Sequence, residues 1–268
     1  MYKLIALDMD GTLLNSNKEI STRTKEAIAA AREKGKKVVL ASGRPLQGMQ
    51  AKLDELRITG QDEFVLFYNG SMVKELGSGE IIHQKIIDGK AAKLVADLAK
   101  KLGLYVHAFS PEYGLITPEN NPYTKIEAQI NTVAINIKDF STLTDDEPII
   151  KAMIVGAPED ITKAATLIPK EFHESYTVVQ SAPIFLEFLN PNSHKGVGIE
   201  AIVKHLGYDA SEVIAMGDAG NDNHMIQYAG LGVAMANAME ETKAIADLIT
   251  DSNDDDGVAK IIEEYMLK

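Results

Sequence analysis

The stretch Lys3-Leu-Ile-Ala-Leu-Asp8-Met-Asp10-Gly11-Thr12-Leu-Leu14 constrains this chain more than any other. A short apolar run that ends in carboxylates, a glycine and a hydroxyl reads as a buried strand of a parallel sheet opening into a loop. Asp8 then stands at the strand's carboxyl end, where open α/β sheets place their ligands. Asp8 and Asp10 are two positions apart, so both project toward one site as the strand gives way. Gly11 lets the backbone turn tightly there and brings peptide N–H groups close to an anion. Two crowded carboxylates repel each other and raise one pKa unless a cation intervenes. The stretch therefore reads as a divalent-metal site that accepts a phosphate, rather than as a polar turn closing a core strand.

The totals narrow the class. The 268 residues suffice for one large or two ordinary domains, and 45% of them are apolar, enough for a sizeable core. A net charge of −12 argues against a nucleic-acid or anionic-membrane surface. It leaves room for a small anionic substrate, because a metal or a few placed cations reverse the local potential. With no cysteine there is neither a disulfide nor thiol catalysis. The opening apolar run meets Asp8 too soon for a signal peptide, and no stretch is long enough to span a membrane. The expectation is a soluble, cytoplasmic chain that is a monomer or a weak homo-oligomer.

Beyond the first loop, strands and helices alternate. Ser21 is a candidate N-cap for a helix through Ala27, Ile28 and Ala31, stopped at Gly35. Lys36–Ala41 reads as a strand ending at Ser42-Gly43-Arg44-Pro45, and Pro45 opens another helix. Phe64–Tyr68 is a third strand, ending at Asn69-Gly70-Ser71. From about Ile82 to Pro191 short β-like runs dominate, including Tyr105–Phe109, Thr132–Ile137 and Ile184–Phe188, with a helix after Asp88 and one over Ile161–Ile168. Alternation returns with a helix from Lys195, a strand Val213–Met216 leading to Gly217-Asp218-Ala-Gly-Asn221-Asp222, and further elements to Met266. The fold class is α/β: a doubly wound, mostly parallel sheet with a Rossmann-like core and an inserted α+β domain. The core takes residues 1–82 and 191–268, and the insertion takes 83–190. The acidic run Asp254–Asp256 reads as a helix start rather than a metal cluster.

Four strand ends or helix starts carry chemistry: Asp8/Asp10/Thr12, Ser42, Lys195, and Asp218/Asn221/Asp222. Magnesium takes carboxylates plus phosphate oxygens, which Asp8 and Asp218 suit. A phosphoryl group wants hydroxyl, amide and ammonium donors, which Ser42, Lys195 and loop N–H groups provide. A carboxylate is then the natural nucleophile, with a neighbouring carboxyl group for proton transfer. His194, beside Lys195, reads as a structural or solvated histidine.

Together these motifs resemble the haloacid dehalogenase-like superfamily of phosphotransferases. Asp8-Met9-Asp10-Gly11-Thr12 matches its first motif, Ser42 its second, Lys195 its third, and Gly217–Asp222 its fourth. The insertion is similar to the C2B cap of the Cof-like subfamily. Asn69-Gly70-Ser71, Val233–Ala238 and Asp256–Ala259 also look like that subfamily. The resemblance covers essentially the whole chain. It implies that Asp8 attacks phosphorus and that Asp10 is the general acid/base. It implies that the side chains of Asp8 and Asp218 and the carbonyl of Asp10 bind Mg²⁺. It implies that Ser42, the Met9 and Gly43 amides, Lys195 and Asn221 hold the phosphoryl, with Arg44 either joining them or forming a surface ion pair. Thr12 would brace the loop, and Asp222 would orient Lys195 or a metal-bound water. The substrate implied is a small phosphorylated metabolite, a sugar phosphate first, selected by cap loops such as Tyr113–Thr117 or Ser181–Pro183. A phosphomutase or phosphotransferase would share this active site. A receiver-like phosphate sensor, modified on its aspartate, is the alternative of another class.

Overall fold

The computed structural model describes residues 1–268 and divides into two compact units, Met1–Gln84 with His194–Lys268, and Lys85–Ser193. In chain order the first unit begins with β1 (Leu4–Leu7), α1 (Thr22–Glu33), β2 (Lys37–Ala41), α2 (Gln50–Glu55), β3 (Phe64–Phe67), β4 (Met72–Glu75) and β5 (Ile81–Gln84). The second unit holds β6 (Ile87–Asp88), α3 (Gly89–Leu102), β7 (Tyr105–Ser110), β8 (Gly114–Thr117), α4 (Pro122–Asn131), β9 (Ile135–Ile137) and β10 (Pro148–Ile149). It continues with β11 (Lys151–Val155), α5 (Pro158–Ala165), α6 (Lys170–Ser175), β12 (Thr177–Ala182) and β13 (Phe185–Leu189). The first unit resumes with α7 (Lys195–Leu206), β14 (Val213–Gly217), α8 (Asn223–Tyr228), β15 (Leu231–Ala234), α9 (Glu240–Ile245), β16 (Leu248–Ile249) and α10 (Gly257–Tyr265).

The first unit is built on an eight-stranded sheet in the order β16-β15-β14-β1-β2-β3-β4-β5. Six strands are parallel, and β4 and β5 add an antiparallel hairpin at one edge. Leu4, Ala6, Val39, Ala41, Phe64, Leu66, Val213 and Ala215 form a buried face with Ile199, Ile202 and Val203 of α7 and Met225 of α8. Ile5, Leu7, Val38 and Leu40 are buried as well. Strands apolar on both faces need helices on both, and α1, packed on β2 and α10, lies among the helices that supply them. Ser21 caps α1, accepting from the Thr24 N–H. The topology brings the carboxyl ends of β1, β2, β3 and β14 to neighbouring positions on one edge, because β1 pairs in register with both β2 and β14.

The second unit has a six-stranded sheet in the order β12-β13-β11-β7-β8-β9, antiparallel except for the β8–β9 pair. On one face Val106, Ala108, Ala152, Ile154, Leu186 and Phe188 meet Ala92, Val95 and Ala99 of α3 and Ile161 of α5. Asp88 caps α3 through the Ala91 N–H, and Gly103 ends it in the left-handed region.

Three details depart from the sequence reading. The segment after Pro45 makes a 3₁₀ turn over Leu46–Gly48 before α2 begins at Gln50. The strand expected over Thr132–Ile137 shrinks to β9, because Thr132 terminates α4 with φ at 54°. The helix α4 itself lies where only β-like runs and loops were expected, opening on Asn121 as N-cap and Pro122 in its first turn. Its apolar residues Ile126 and Ile130 point to solvent, so the usual stripe is missing from its inner face. Phe188 is fully buried against Phe172 in an edge-to-face contact of 5.7 Å. Phe188→Ala is expected to destabilise the second unit by about 3–5 kcal/mol, read as a lower urea midpoint.

Candidate active site

The ammonium of Lys195 is fully buried and donates to Asp8 Oδ1 and, at 2.6 Å, to Asp222 Oδ1. Three distant parts of the sequence supply this contact: the end of β1, the first residue of α7 and the loop after β14. Lys195 is aimed by the start of its helix, where His194 Nδ1 accepts the Val197 N–H at 3.3 Å as the N-cap. His194 also stacks on His224 at 4.0 Å between ring centroids. Gly70, at φ +91°, lets the turn after β3 come against the His194 carbonyl, where a Cβ would collide.

Asp218 enters the cluster through the loop that follows β14. Thr12 Oγ1 donates to Asp218 Oδ1 at 2.9 Å, and the Asp8 and Asp218 carboxyl groups lie within hydrogen-bonding reach of each other. Gly11 has φ at +87°, and a Cβ there would run into the Asp218 carboxylate. The first loop thus needs glycine both for its turn and for its closeness to Asp218. Asp222 accepts the Asp218 N–H at 2.9 Å and the Ala219 N–H at 3.1 Å on Oδ2, so it folds its own loop while holding Lys195 on Oδ1.

Burial pushes the Asp8 carboxyl up to about 8, against the opposing charge of Lys195 and with the aid of Asp222. Burial likewise raises Asp218. Lys195 would be lowered by burial, but Asp8 and Asp222 more than offset it and hold it charged. One ammonium is too little for three carboxylates, each of which places one oxygen within 4.8 Å of an oxygen from the other two. Oxygen by oxygen, Asp222 is fully occupied, whereas Asp8 and Asp218 each have one oxygen not committed to Lys195 or Thr12. A hard, all-oxygen pair with this electrostatic need suits a divalent cation such as Mg²⁺.

The remaining expected residues surround this centre in different ways. Ser42, at the end of β2, is buried, with its Oγ accepting the Arg44 N–H at 3.2 Å. Met9 is buried and Gly43 half-buried. Asn221 is exposed and donates to Asn69 Oδ1 at 3.0 Å. Arg44 faces Asp10, with Nε on Oδ2 at 2.9 Å and Nη2 on Oδ1 at 2.8 Å. Lys18 adds a second cation on Asp10 Oδ1 at 2.9 Å. Burial would raise Asp10, yet Lys18 and Arg44 together hold it below the usual carboxylate range. Of the two readings of Arg44, this arrangement is the ion pair.

Several supporting residues escaped the sequence reading. Lys18 stands alone in a loop with nothing in its spacing to mark it. Asn237 donates to the Gly11 carbonyl at 2.8 Å while its Oδ1 accepts the Asn253 N–H at 3.0 Å. Asn253 Nδ2 reaches the Leu14 carbonyl at 2.9 Å, and Asp254 holds Ser16 through its N–H at 2.8 Å and its Oγ at 2.6 Å. The acidic run before α10 thereby pins the far side of the first loop.

Comparison with known proteins gives the same class. Residues 5–262 match the haloacid dehalogenase-like hydrolase family, and the chain belongs to it. YxeH of Bacillus subtilis is 38% identical over 269 residues, covering 100% of this chain and 99% of that protein. A haloacid dehalogenase-like hydrolase from Bacteroides thetaiotaomicron superposes with a TM-score of 0.88 at 36% identity, over 98% of this chain and 99% of that one. The subclass IIB sugar phosphatase BT4131 is 27% identical with a TM-score of 0.79, over 99% of this chain and 100% of that one. The chain is thus an enzyme of the phosphatase class on a mixed α/β fold, and none of its helices is long and apolar enough to cross a membrane. Thr12→Val removes the hydroxyl that fixes Asp218. It is expected to weaken divalent-cation binding by about 10–100-fold, measured by calorimetric titration with Mg²⁺.

Proposed function

We propose that this chain is a Mg²⁺-dependent phosphatase of small phosphorylated metabolites, sugar phosphates first, that works through an aspartyl-phosphate intermediate. The observation that carries the reading is the buried Lys195 ammonium on Asp8 Oδ1, with Asp218 alongside. Mg²⁺ held by the Asp8 and Asp218 carboxylates would neutralise charge on the substrate phosphoryl group and on the attacking oxygen.

The chain's own groups supply the rest. An Asp8 carboxylate oxygen bonds to phosphorus as the ester bond to the leaving oxygen breaks, and Asp10 gives that oxygen its proton. Water then attacks the aspartyl phosphate, Asp10 takes a proton from it, and inorganic phosphate leaves with Asp8 restored. Lys195 offsets negative charge beside Asp8 throughout, and Asp222 keeps it pointed there. Ser42, Asn221 and the Met9 and Gly43 amides are suited to hold the phosphoryl oxygens. The Lys18 and Arg44 contacts favour the ionised Asp10 of the second step. For the first step Asp10 must arrive protonated, which leaving those two cations promotes. In this reading the second unit, Lys85–Ser193, selects the substrate.

Purified protein with Mg²⁺ is expected to release inorganic phosphate from p-nitrophenyl phosphate and from sugar phosphates. Phosphoryl transfer to a second hydroxyl without free phosphate would replace hydrolysis by a transferase activity. A long-lived acyl phosphate without turnover would point to a sensor. Asp8→Asn is expected to abolish turnover with the circular dichroism spectrum unchanged, and retained activity would refute the covalent route. Asp10→Asn is expected to slow hydrolysis by roughly 10²–10⁴-fold in steady-state assays.

A further inference from the structure

The turn that follows β3 is held in a conformation that most side chains avoid. Tyr68 has φ at 52°, Asn69 at 55° and Gly70 at 91°, three left-handed residues in succession. Glycine adopts this region freely, but a bulky side chain such as that of Tyr68 is rarely found there. Strain of this kind persists only where the surroundings over-determine it, and it gathers at functional sites. Here the surroundings are the loops that carry the candidate phosphoryl-binding groups. The Tyr68 N–H donates to the Arg44 carbonyl and the Asn69 N–H to the Ser42 carbonyl, each at 3.0 Å. Gly70 lies against the His194 carbonyl, one residue before Lys195. The Asn69 amide lies 3.0 Å from where a Cβ on Gly43 would stand, and its Oδ1 accepts from Asn221 Nδ2 at 3.0 Å. One strained turn therefore touches the Ser42–Arg44 loop, the start of α7 and the Asn221 loop, all within the first unit.

Asparagine tolerates the left-handed region better than most residues, yet glycine would adopt it at position 69 with no strain at all. A side chain there calls for a use, and its hydrogen bond to Asn221 gives one. The amide of an asparagine turns about a broad torsion, so either its oxygen or its nitrogen can face an anion. Only the N–H side attracts a phosphoryl oxygen, and the carbonyl side repels it. Asn221 is exposed, so packing alone does not choose between the two. Its Nδ2 carries two N–H groups. Donation of one to Asn69 Oδ1 decides which way the amide faces and leaves the second for an oxygen of the phosphoryl group. The backbone bonds to the Ser42 and Arg44 carbonyls fix Asn69 against the loop that carries the Ser42 hydroxyl and the Gly43 amide. The same turn thus sets the spacing between these donors.

We propose that Asn69 is a positioning residue for phosphoryl binding: it acts through Asn221, whose amide it turns nitrogen-first toward the phosphoryl group, and the left-handed turn holds it in place to do so. The proposal rests on the phosphatase reading above, in which Asn221 holds that group.

The test is a double-mutant cycle of Asn69→Gly, Asn221→Ala and the two combined, assayed on p-nitrophenyl phosphate with Mg²⁺. Glycine suits φ at 55°, so Asn69→Gly deletes the amide and keeps the turn, and its thermal midpoint is expected to stay close to that of wild type. Asn221→Ala is expected to lower kcat/KM by about 10²-fold, and Asn69→Gly by about tenfold. Made in the Asn221→Ala background, Asn69→Gly is expected to change kcat/KM by less than about twofold. Wild-type kcat/KM in either single variant would overturn the proposal. So would the same loss from Asn69→Gly in both backgrounds, since Asn69 would then not act through Asn221. Should wild type release no phosphate from any substrate, the phosphatase reading falls, and the same cycle is read as binding of inorganic phosphate with Mg²⁺ by calorimetric titration. Affinity lowered by Asn69→Gly in the wild-type background alone supports the proposal. No binding to wild type, or affinity unchanged in Asn69→Gly, rejects it.

Discussion

The Lys195 ammonium, buried between Asp8 and Asp222, is the constraint from which the rest of the first unit follows. Burial works against the charges of Asp8 and Lys195 alike; Lys195 opposes the rise of Asp8, and Asp8 with Asp222 holds Lys195 charged. The contact requires that β1 and β14 be neighbours and that α7 begin at the same sheet edge. The parallel register Leu4↔Val213 and Leu7↔Met216 supplies this. The three-centre contact thus explains the sheet order at its middle, and the tight approach of the turn at Gly70 to the start of α7.

The surroundings divide labour among oxygens. Asp222 spends both of its own on Lys195 and on its loop's backbone, so it shapes the site without facing a ligand. Asp218 and Asp8 keep one each. Asp10, only two positions from Asp8, lies in another electrostatic world: two cations hold it ionised while burial pushes Asp8 the other way. Pairs of acidic groups whose environments separate their pKa values are how one site runs both nucleophilic and proton-transfer chemistry.

Much of this was legible in the sequence because fully buried parallel strands write themselves as apolar runs, and such runs end in the residues that face the ligand edge. Asp8, Ser42 and Asp218 were marked in that way, while Lys195 and the cap Ser21 were marked by the helices they open. What was not legible depended on long-range pairing or on broken periodicity. Arg44 has donors fit for a phosphate or a carboxylate, and only the fold brings it to Asp10. Lys18 lacks any local pattern, and Asn237 lies in the Val233–Ala238 stretch without a role being read for it there. The helix α4 was invisible because its buried side is polar and its outer side apolar, so the hydrophobic period pointed nowhere. The hairpin of β4 and β5 is short and mostly lacks the two-residue alternation that would announce it.

The partners of the Lys195–Asp8 contact are separated by 187 positions, with the whole of Lys85–Ser193 in the interval. During synthesis β1, β2 and β3 therefore emerge long before β14 exists to pair with β1. The intervening unit has all its strands at hand and is free to fold first, since domains generally fold as units. The nascent chain must meanwhile carry an open strand edge at β1, with its acidic loop still lacking both lysine and opposing carboxylate. The hydrolytic apparatus is thus among the last things the ribosome completes.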